Sequence, residues 1–225
     1  MVVMKAAPVV FITGAAAGIG KATALAFARL GYRLVVTDLK AESGPGLLAE
    51  LKAAGGEARY LVADQAKEAD ALLAVHTAME VFGQLDVAIN NAGTEGDQTL
   101  QIEHQTDANV RRTLGVNAEG VMWCLKHEIP ALRRSGGGAI VNVSSVAGHV
   151  GLETCSAYVA SKHALIAFGE CLRQEVAPYG IRVTLIEPGL VETPFSDNPF
   201  ARELKKTVTP LQPEDCARAI RFAVE

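Results

Sequence analysis

The sequence predicts one domain of the α/β class: a doubly wound parallel sheet with helices on both faces, in three α/β/α layers. Three observations point there. Short apolar runs rich in β-branched residues alternate with longer stretches of helical period throughout the 225 residues. These runs are nearly continuous in apolar character, as strands covered on both faces are. The apolar content is also of an unusual kind, 36 alanines and 21 glycines against 5% aromatic residues. Small residues at that density let helices lie close on a sheet and let backbone approach a ligand.

The elements follow in order. Residues 8–13 (PVVFIT) read as the first strand, and 19–30 as the helix after it, joined by a glycine-rich turn. Further strands fall at 33–37 (RLVVT), 58–62 (ARYLV), 86–89 (DVAI), 139–143 (AIVNV) and 182–186 (RVTLI). Between them, helical period runs over 41–54, 66–82, a long stretch of about 106–134, and 156–177. A last helix starts at Pro213, a favoured first-turn residue, with Glu214 and Asp215 suited to the positive end of its dipole. The run Gly136, Gly137, Gly138 is a turn before a strand. No linker, repeat or low-complexity stretch divides the chain, so 1–225 reads as a single domain. In such sheets ligands sit beyond the carboxyl ends of the strands, where the strand order reverses, so functional residues are expected just after strands.

Composition narrows the function. With 21 basic and 25 acidic residues the net charge is −4 and no basic cluster follows a phosphate backbone, which argues against a nucleic-acid partner. Cys124, Cys155, Cys171 and Cys216 form no C-x-x-C pair, so reduced thiols and a cytoplasmic location are expected. No apolar run reaches the roughly 18 residues of a spanning helix, so no membrane partner is expected. The apolar start, 1–12, is interrupted by Pro8 and is not read as a leader. His76, His104, His127, His149 and His163 lack ligand spacing, so no metal is expected.

After the first strand comes Thr13-Gly14-Ala15-Ala16-Ala17-Gly18-Ile19-Gly20, and the helix starts inside it. Gly14 suits a tight turn, and Gly18 and Gly20 let backbone N–H groups approach a pyrophosphate at the positive end of a helix. Asp38 ends the second strand, eighteen residues beyond Gly20. Its carboxylate can accept hydrogen bonds from ribose hydroxyls and would repel a 2′-phosphate. Ala63-Asp64-Gln65 and Asn90-Asn91-Ala92-Gly93 follow the third and fourth strands. Tyr158 and Lys162 stand four apart on one helical face. An ammonium held near a phenol at about 4 Å, in an effective dielectric of about 20, contributes about 4 kcal/mol. That would lower the phenol's pKa by about 3 units and poise Tyr158 to exchange a proton. Ser145 lies thirteen residues before Tyr158, and its hydroxyl can donate to a developing alkoxide. Ser144 is the neighbouring candidate.

These segments, in this order across Thr13 to Thr193, resemble the short-chain dehydrogenase/reductase family of Rossmann-fold oxidoreductases. The turn has the spacing T-G-x-x-x-G-I-G, and 187–193 (EPGLVET) matches P-G-x-x-x-T. The resemblance implies a cofactor half to about residue 135 and a catalytic and substrate half from about 136. It implies that Gly14, Ala16, Gly18, Ile19, Gly20, Asp38, Asp64, Gln65, Asn91 and Gly93 line the dinucleotide, with Asp64 at the adenine amino group. Val191 and Thr193 would hold the nicotinamide carboxamide. Tyr158 would be the acid/base, Lys162 would lower its pKa and hold the nicotinamide ribose, Ser145 would polarise the substrate oxygen, and Asn117 would support a proton relay. NADP-preferring members usually carry a basic residue where this chain has Ala17, so NAD is favoured, although Lys40 stands close by.

The expected activity is therefore hydride transfer between nicotinamide and a secondary alcohol or ketone of a small metabolite. Two alternatives stay open, an NADPH-dependent 3-oxoacyl-type reductase and a catalytically silent dinucleotide-binding regulator. Residues 94–105 and 195–209 read as polar loops of a substrate lid. His149 and Glu153 read as a solvated loop, and Cys155 as a packing residue. A homodimer or homotetramer is implied by the family. Its members usually run on by about 20 residues to a seventh strand beside the sixth; that strand is missing here, and a chain cut at its C-terminus is expected, since an uncovered parallel edge is normally avoided.

Overall fold

The structure is a computed structural model that describes residues 6–196 and 199–225. Six strands, β1 (Val9–Thr13), β2 (Arg33–Asp38), β3 (Glu57–Val62), β4 (Val87–Asn90), β5 (Gly138–Val143) and β6 (Ile181–Ile186), form one sheet in the order β3-β2-β1-β4-β5-β6. Every pairing is parallel. The order reverses between β1 and β4, and the cleft opens beyond the carboxyl ends of these two strands.

Successive strand residues feed opposite layers, which explains why both parities are apolar. On one face Val9, Phe11, Val35, Ala88 and Ile140 pack against α3 (Glu68–Phe82), α5 (Gly120–Arg134) and α6 (Ser156–Val176). On the other, Val10, Ile12, Val36, Ile89 and Val141 meet α1 (Gly18–Arg29), α2 (Gly44–Ala53) and α8 (Pro213–Val224). Phe27 of α1 is fully buried there, a contribution of about 2 kcal/mol relative to exposure. Among the described residues, β6 borders only β5. No helix of the described residues is long and apolar enough to cross a membrane.

Three features differ from the expected elements. The single helix expected over 106–134 is α4 (Asp107–Leu114), then a π-helical turn (Gly115–Glu119), then α5. The widened turn lies where the helix passes the cleft, as such turns often do at functional sites. The stretch expected as a helix from residue 41 begins as a 3-10 turn (Ala41–Ser43) before α2. The segment 195–209, read as a loop, contains α7 (Pro199–Leu204), and it returns to the site through a bridge between Val191 and Leu211.

Candidate active site and cofactor cleft

A cleft of about 680 Å³ runs from Asp38 at one end to Tyr158, Leu152 and Leu204 at the other. Its nucleotide end is built around missing side chains. Gly14 holds φ +65°, and a Cβ there would come within 2.8 Å of Ala92 Cα. A Cβ on Gly20 would stand 2.1 Å from the Gly14 carbonyl oxygen and 2.5 Å from Asn91 Nδ2. That space is taken by a lock between β1 and the segment after β4. Asn91 Nδ2 donates to the carbonyls of Thr13 and Gly14, both at 3.0 Å. Thr13 Oγ1 accepts from Asn91 N and Ala92 N, also at 3.0 Å. Ala17, at the N-cap of α1, has no side chain to cap the helix, so the first-turn N–H groups keep their donors for a ligand.

Asp38 is half-buried at the same end, and its Oδ2 accepts from Ala16 N at 3.0 Å. Lys40 and Ser43 line the cleft beside it. A turn no Cβ can enter, an uncapped helix start and a carboxylate at the end of β2 together fit a dinucleotide whose ribose hydroxyls reach Asp38.

Gly20, Asp64, Gln65 and Asn117 of the expected set lie outside the cleft lining. Asp64 Oδ1 accepts from Ala66 N at 3.1 Å, and the carboxylate pairs with Lys67 at 3.6 Å. Gln65 turns its amide onto α5, donating to the Gly120 carbonyl at 3.0 Å and to Cys124 Sγ at 3.1 Å. Both side chains are spent on shaping the turn and on holding α5.

At the catalytic end, α6 carries Tyr158 and Lys162 on one face, with Lys162 Nζ 5.7 Å from the phenol ring centroid. Lys162 is buried and donates to the Val143 carbonyl at 3.1 Å. The Ser145 side chain faces the Tyr158 phenol, and its Oγ accepts from Ala147 N at 3.1 Å. The geometry separates the two serines. Ser144 Oγ donates instead to the Lys162 carbonyl at 3.1 Å, away from the phenol.

The expected electrostatics are reversed in direction. Burial pushes the Tyr158 hydroxyl up to about 12; the Ser145 hydrogen bond opposes this, and the charge of Glu95 adds to it. Burial likewise drives Lys162 down to about 8. Desolvation penalises both charged forms, and at these positions it outweighs the ammonium's pull on the phenol.

Asn117 sits in the π-helical turn, fully buried. Its Oδ1 accepts from Thr94 N at 2.8 Å, and its Nδ2 donates to the Thr94 carbonyl at 2.8 Å and to Ser161 Oγ at 3.0 Å. Ser161 Oγ in turn donates to the Tyr158 carbonyl at 2.6 Å. Asn117 thus pins the strand-end segment after Gly93 to the helix that carries Tyr158.

The far wall comes from the segment after β6. Val191 is buried and lines the cleft, and the Thr193 side chain lies over Gly18, whose Cβ would meet Thr193 Cγ2 at 3.0 Å. The ion pair of Glu192 with Lys205, 2.7 Å, ties this segment to the stretch after α7. Phe195 tilts over Tyr158 with ring centroids 6.3 Å apart. Thr154, a β-branched residue at φ +62°, donates its hydroxyl to the Gln98 carbonyl at 2.5 Å, joining two loops at the mouth; such a conformation costs about 1–3 kcal/mol. His149 pairs with Glu187 at 2.9 Å and is largely exposed. Burial pushes the Cys155 thiol up, as befits a packing residue.

Thr13, Thr94, Ser161 and Phe195 were not singled out by sequence reasoning. The first sits in the quoted T-G turn and the third between Tyr158 and Lys162, so their place in the motifs was the available signal. Thr94 and Phe195 carry no local signal.

The fold and cleft define a nucleotide-binding α/β oxidoreductase. Comparison with known proteins agrees. Residues 8–204 match the family model described as short chain dehydrogenase. The cyclohexanol dehydrogenase of Acinetobacter sp. (strain SE19) is 37% identical over 218 residues, 95% of this chain and 86% of that relative. The crystal structure of levodione reductase superposes with a TM-score of 0.91 at 30% identity, covering 98% of this chain and 92% of that one. An NAD+-bound xylitol dehydrogenase gives a TM-score of 0.90 at 28% identity, covering 97% and 92%. The chain belongs to the short-chain dehydrogenase family, oxidoreductases of alcohols and ketones that use a nicotinamide dinucleotide.

Proposed function

We propose that this protein is an NAD-dependent dehydrogenase that interconverts a secondary alcohol and its ketone on a small, mainly apolar substrate, with Tyr158 as the acid/base. The observation that carries this reading is the meeting of the Ser145 and Tyr158 side chains, backed by buried Lys162, in the cleft that ends at Asp38. When bound, the nicotinamide supplies or accepts the hydride. Everything else is done by the chain. The Gly14–Gly20 turn and the start of α1 hold the pyrophosphate, and Asp38 takes the ribose hydroxyls and disfavours a 2′-phosphate. Val191 and Thr193 close over the nicotinamide. Val146, Leu152, Phe195, Ala201 and Leu204 exclude water and present an apolar wall to the substrate, consistent with an alicyclic alcohol.

Ser145 Oγ donates to the substrate oxygen, and Tyr158 Oη delivers or removes its proton. With the phenol held at about 12, Tyr158 is neutral at pH 7 and suited to protonating a carbonyl oxygen. Alcohol oxidation needs the phenolate, so its rate is expected to rise with pH above neutrality. We also place the protein in the cytoplasm, where its four unpaired cysteines stay reduced, and expect a homodimer or homotetramer.

The test is NADH formation over secondary alcohols, including cyclohexanol, polyols, sterols and hydroxy acids, with Y158F as control. Y158F is expected to lose about 100-fold or more in kcat while still binding NADH. Retention of more than roughly a tenth of the wild-type kcat would remove Tyr158 as the acid/base. Saturable NAD binding without turnover of any alcohol would replace the enzyme reading with a binding protein.

A further inference from the structure

Beneath the cleft lies a charged residue type with no exit to solvent. Glu128 of α5 is fully buried, on the apolar stripe that also presents Val121, Cys124 and Leu132 to the sheet. Its Oε2 accepts from Asn90 Nδ2 at 3.1 Å, and the same amide nitrogen donates to Asn142 Oδ1 at 3.0 Å. Asn90 and Asn142 are register partners at the ends of β4 and β5. What leaves those ends is the site. Asn91 next to Asn90 locks the glycine turn, and Val143 next to Asn142 offers the carbonyl that holds Lys162, two residues before Ser145.

A carboxyl at such a position is costly unless its hydrogen bonds are used. A leucine there would fill the layer between α5 and the sheet without that cost. Burial keeps the carboxyl protonated at neutral pH, pushed up to about 8, so it brings a donor as well as an acceptor. Asn90 Oδ1, Glu128 Oε1 and Asn142 Nδ2 have no hydrogen-bond partner among the described residues. The one Asn90 amide nitrogen is thus shared between Glu128 and Asn142, and Glu128 fixes the side chain that reaches across to β5.

We propose that Glu128 is a positioning residue: by fixing the Asn90 amide that donates to Asn142 it sets the spacing of the two strand ends, one leading to Asn91 and Gly93 at the cofactor, the other to Ser145 and to the Val143 carbonyl that holds Lys162. The oxidoreductase reading matters here only for the kinetic readout.

The test compares wild type, E128Q and E128L by hydrogen–deuterium exchange over residues 90–96 and 142–148, and by steady-state oxidation of cyclohexanol with NAD. E128L is expected to exchange about tenfold faster in both segments. Its kcat should fall about tenfold or more with the KM for NAD changed by less than about threefold, because misplacement of reacting groups costs turnover more than binding. E128Q keeps a carbonyl acceptor and an N–H donor, and should restore both readouts to within about threefold of wild type. Wild-type exchange and kcat in E128L, or E128Q as impaired as E128L, overturns the proposal. N142L removes the far end of the bridge, and wild-type exchange over 90–96 in that variant also overturns it, so the outcome is decided even if E128L does not fold. A wild-type protein inert toward every alcohol would sink the activity, while the exchange comparison would still decide the role of Glu128.

Discussion

Replacing Glu128 by glutamine should change how stability depends on pH, and by an amount the structure sets. Burial raises the carboxyl from 4.5 to about 8 in the folded chain. Between those values the native protein keeps a proton that the unfolded chain has released. Stability is then lost as pH rises through that window, by about 1.4 kcal/mol per unit and about 5 kcal/mol in total. The substituted glutamine has no proton to lose, so the gap in favour of E128Q should widen from pH 5 to pH 8 and stay constant above it. Other titrating groups are common to both proteins and cancel in the difference. Cys124, one turn away, is held as a thiol by its burial, and Asn90 and Asn142 do not titrate. For a chain of this size the widening corresponds to roughly 10 °C in Tm, read from thermal or urea unfolding at each pH. Parallel curves for the two proteins would show that the native carboxyl is ionised at neutral pH, and the argument from burial would fail.

Three other outcomes follow from the site. Asp38→Ala should weaken NADH binding about tenfold or more and strengthen NADPH binding, as the carboxylate both accepts ribose hydroxyls and repels a 2′-phosphate; fluorescence titration with each cofactor reads this, and an unchanged preference would assign selectivity to Lys40. Gly20→Ala drives a methyl to within 2.1 Å of the Gly14 carbonyl, so a cost of about 3 kcal/mol in stability is expected, together with loss of the Tm increase on adding NAD. Ser145→Ala should lower kcat about 100-fold, whereas Ser144→Ala, which loses only a bond to the Lys162 carbonyl, should cost about 1 kcal/mol of stability with a far smaller effect on turnover; equal losses of kcat would dissolve the distinction.

The alternation of strands and helices was legible because each strand carries its own apolar run and each helix its own period. The turn 14–20 was legible for the same reason, since glycine is a local solution to local crowding. What the sequence concealed depends on partners far along the chain. Nothing near Asn117 announces a π-helical turn; its purpose is visible only once Thr94, twenty-three residues away, is seen bonded to the side chain. Gln65 reads as a strand-end residue facing the cofactor until α5 is docked against it. The direction of the shift at Tyr158 depends on burial, which spacing along a helix does not reveal. Glu128 did leave a trace, since it falls on the buried stripe of α5 with Val121, Cys124, Ala131 and Leu132. A carboxylate on an otherwise apolar face is a signal that a charge count passes over.

The lock between Thr13, Gly14 and Asn91 bears on how the protein comes to be competent during folding. The glycine turn lies near the start of the chain, but the groups that fix it arrive 77 to 79 residues later. During synthesis, β1, β2 and the helices between them can form before β4 exists, yet the carbonyls of Thr13 and Gly14 then lack the amide that holds them. The ability to grip a nucleotide is therefore gained late, when β4 inserts beside β1. An N-terminal fragment ending before residue 87 would carry the complete glycine pattern and still fail to hold the ligand that the pattern advertises.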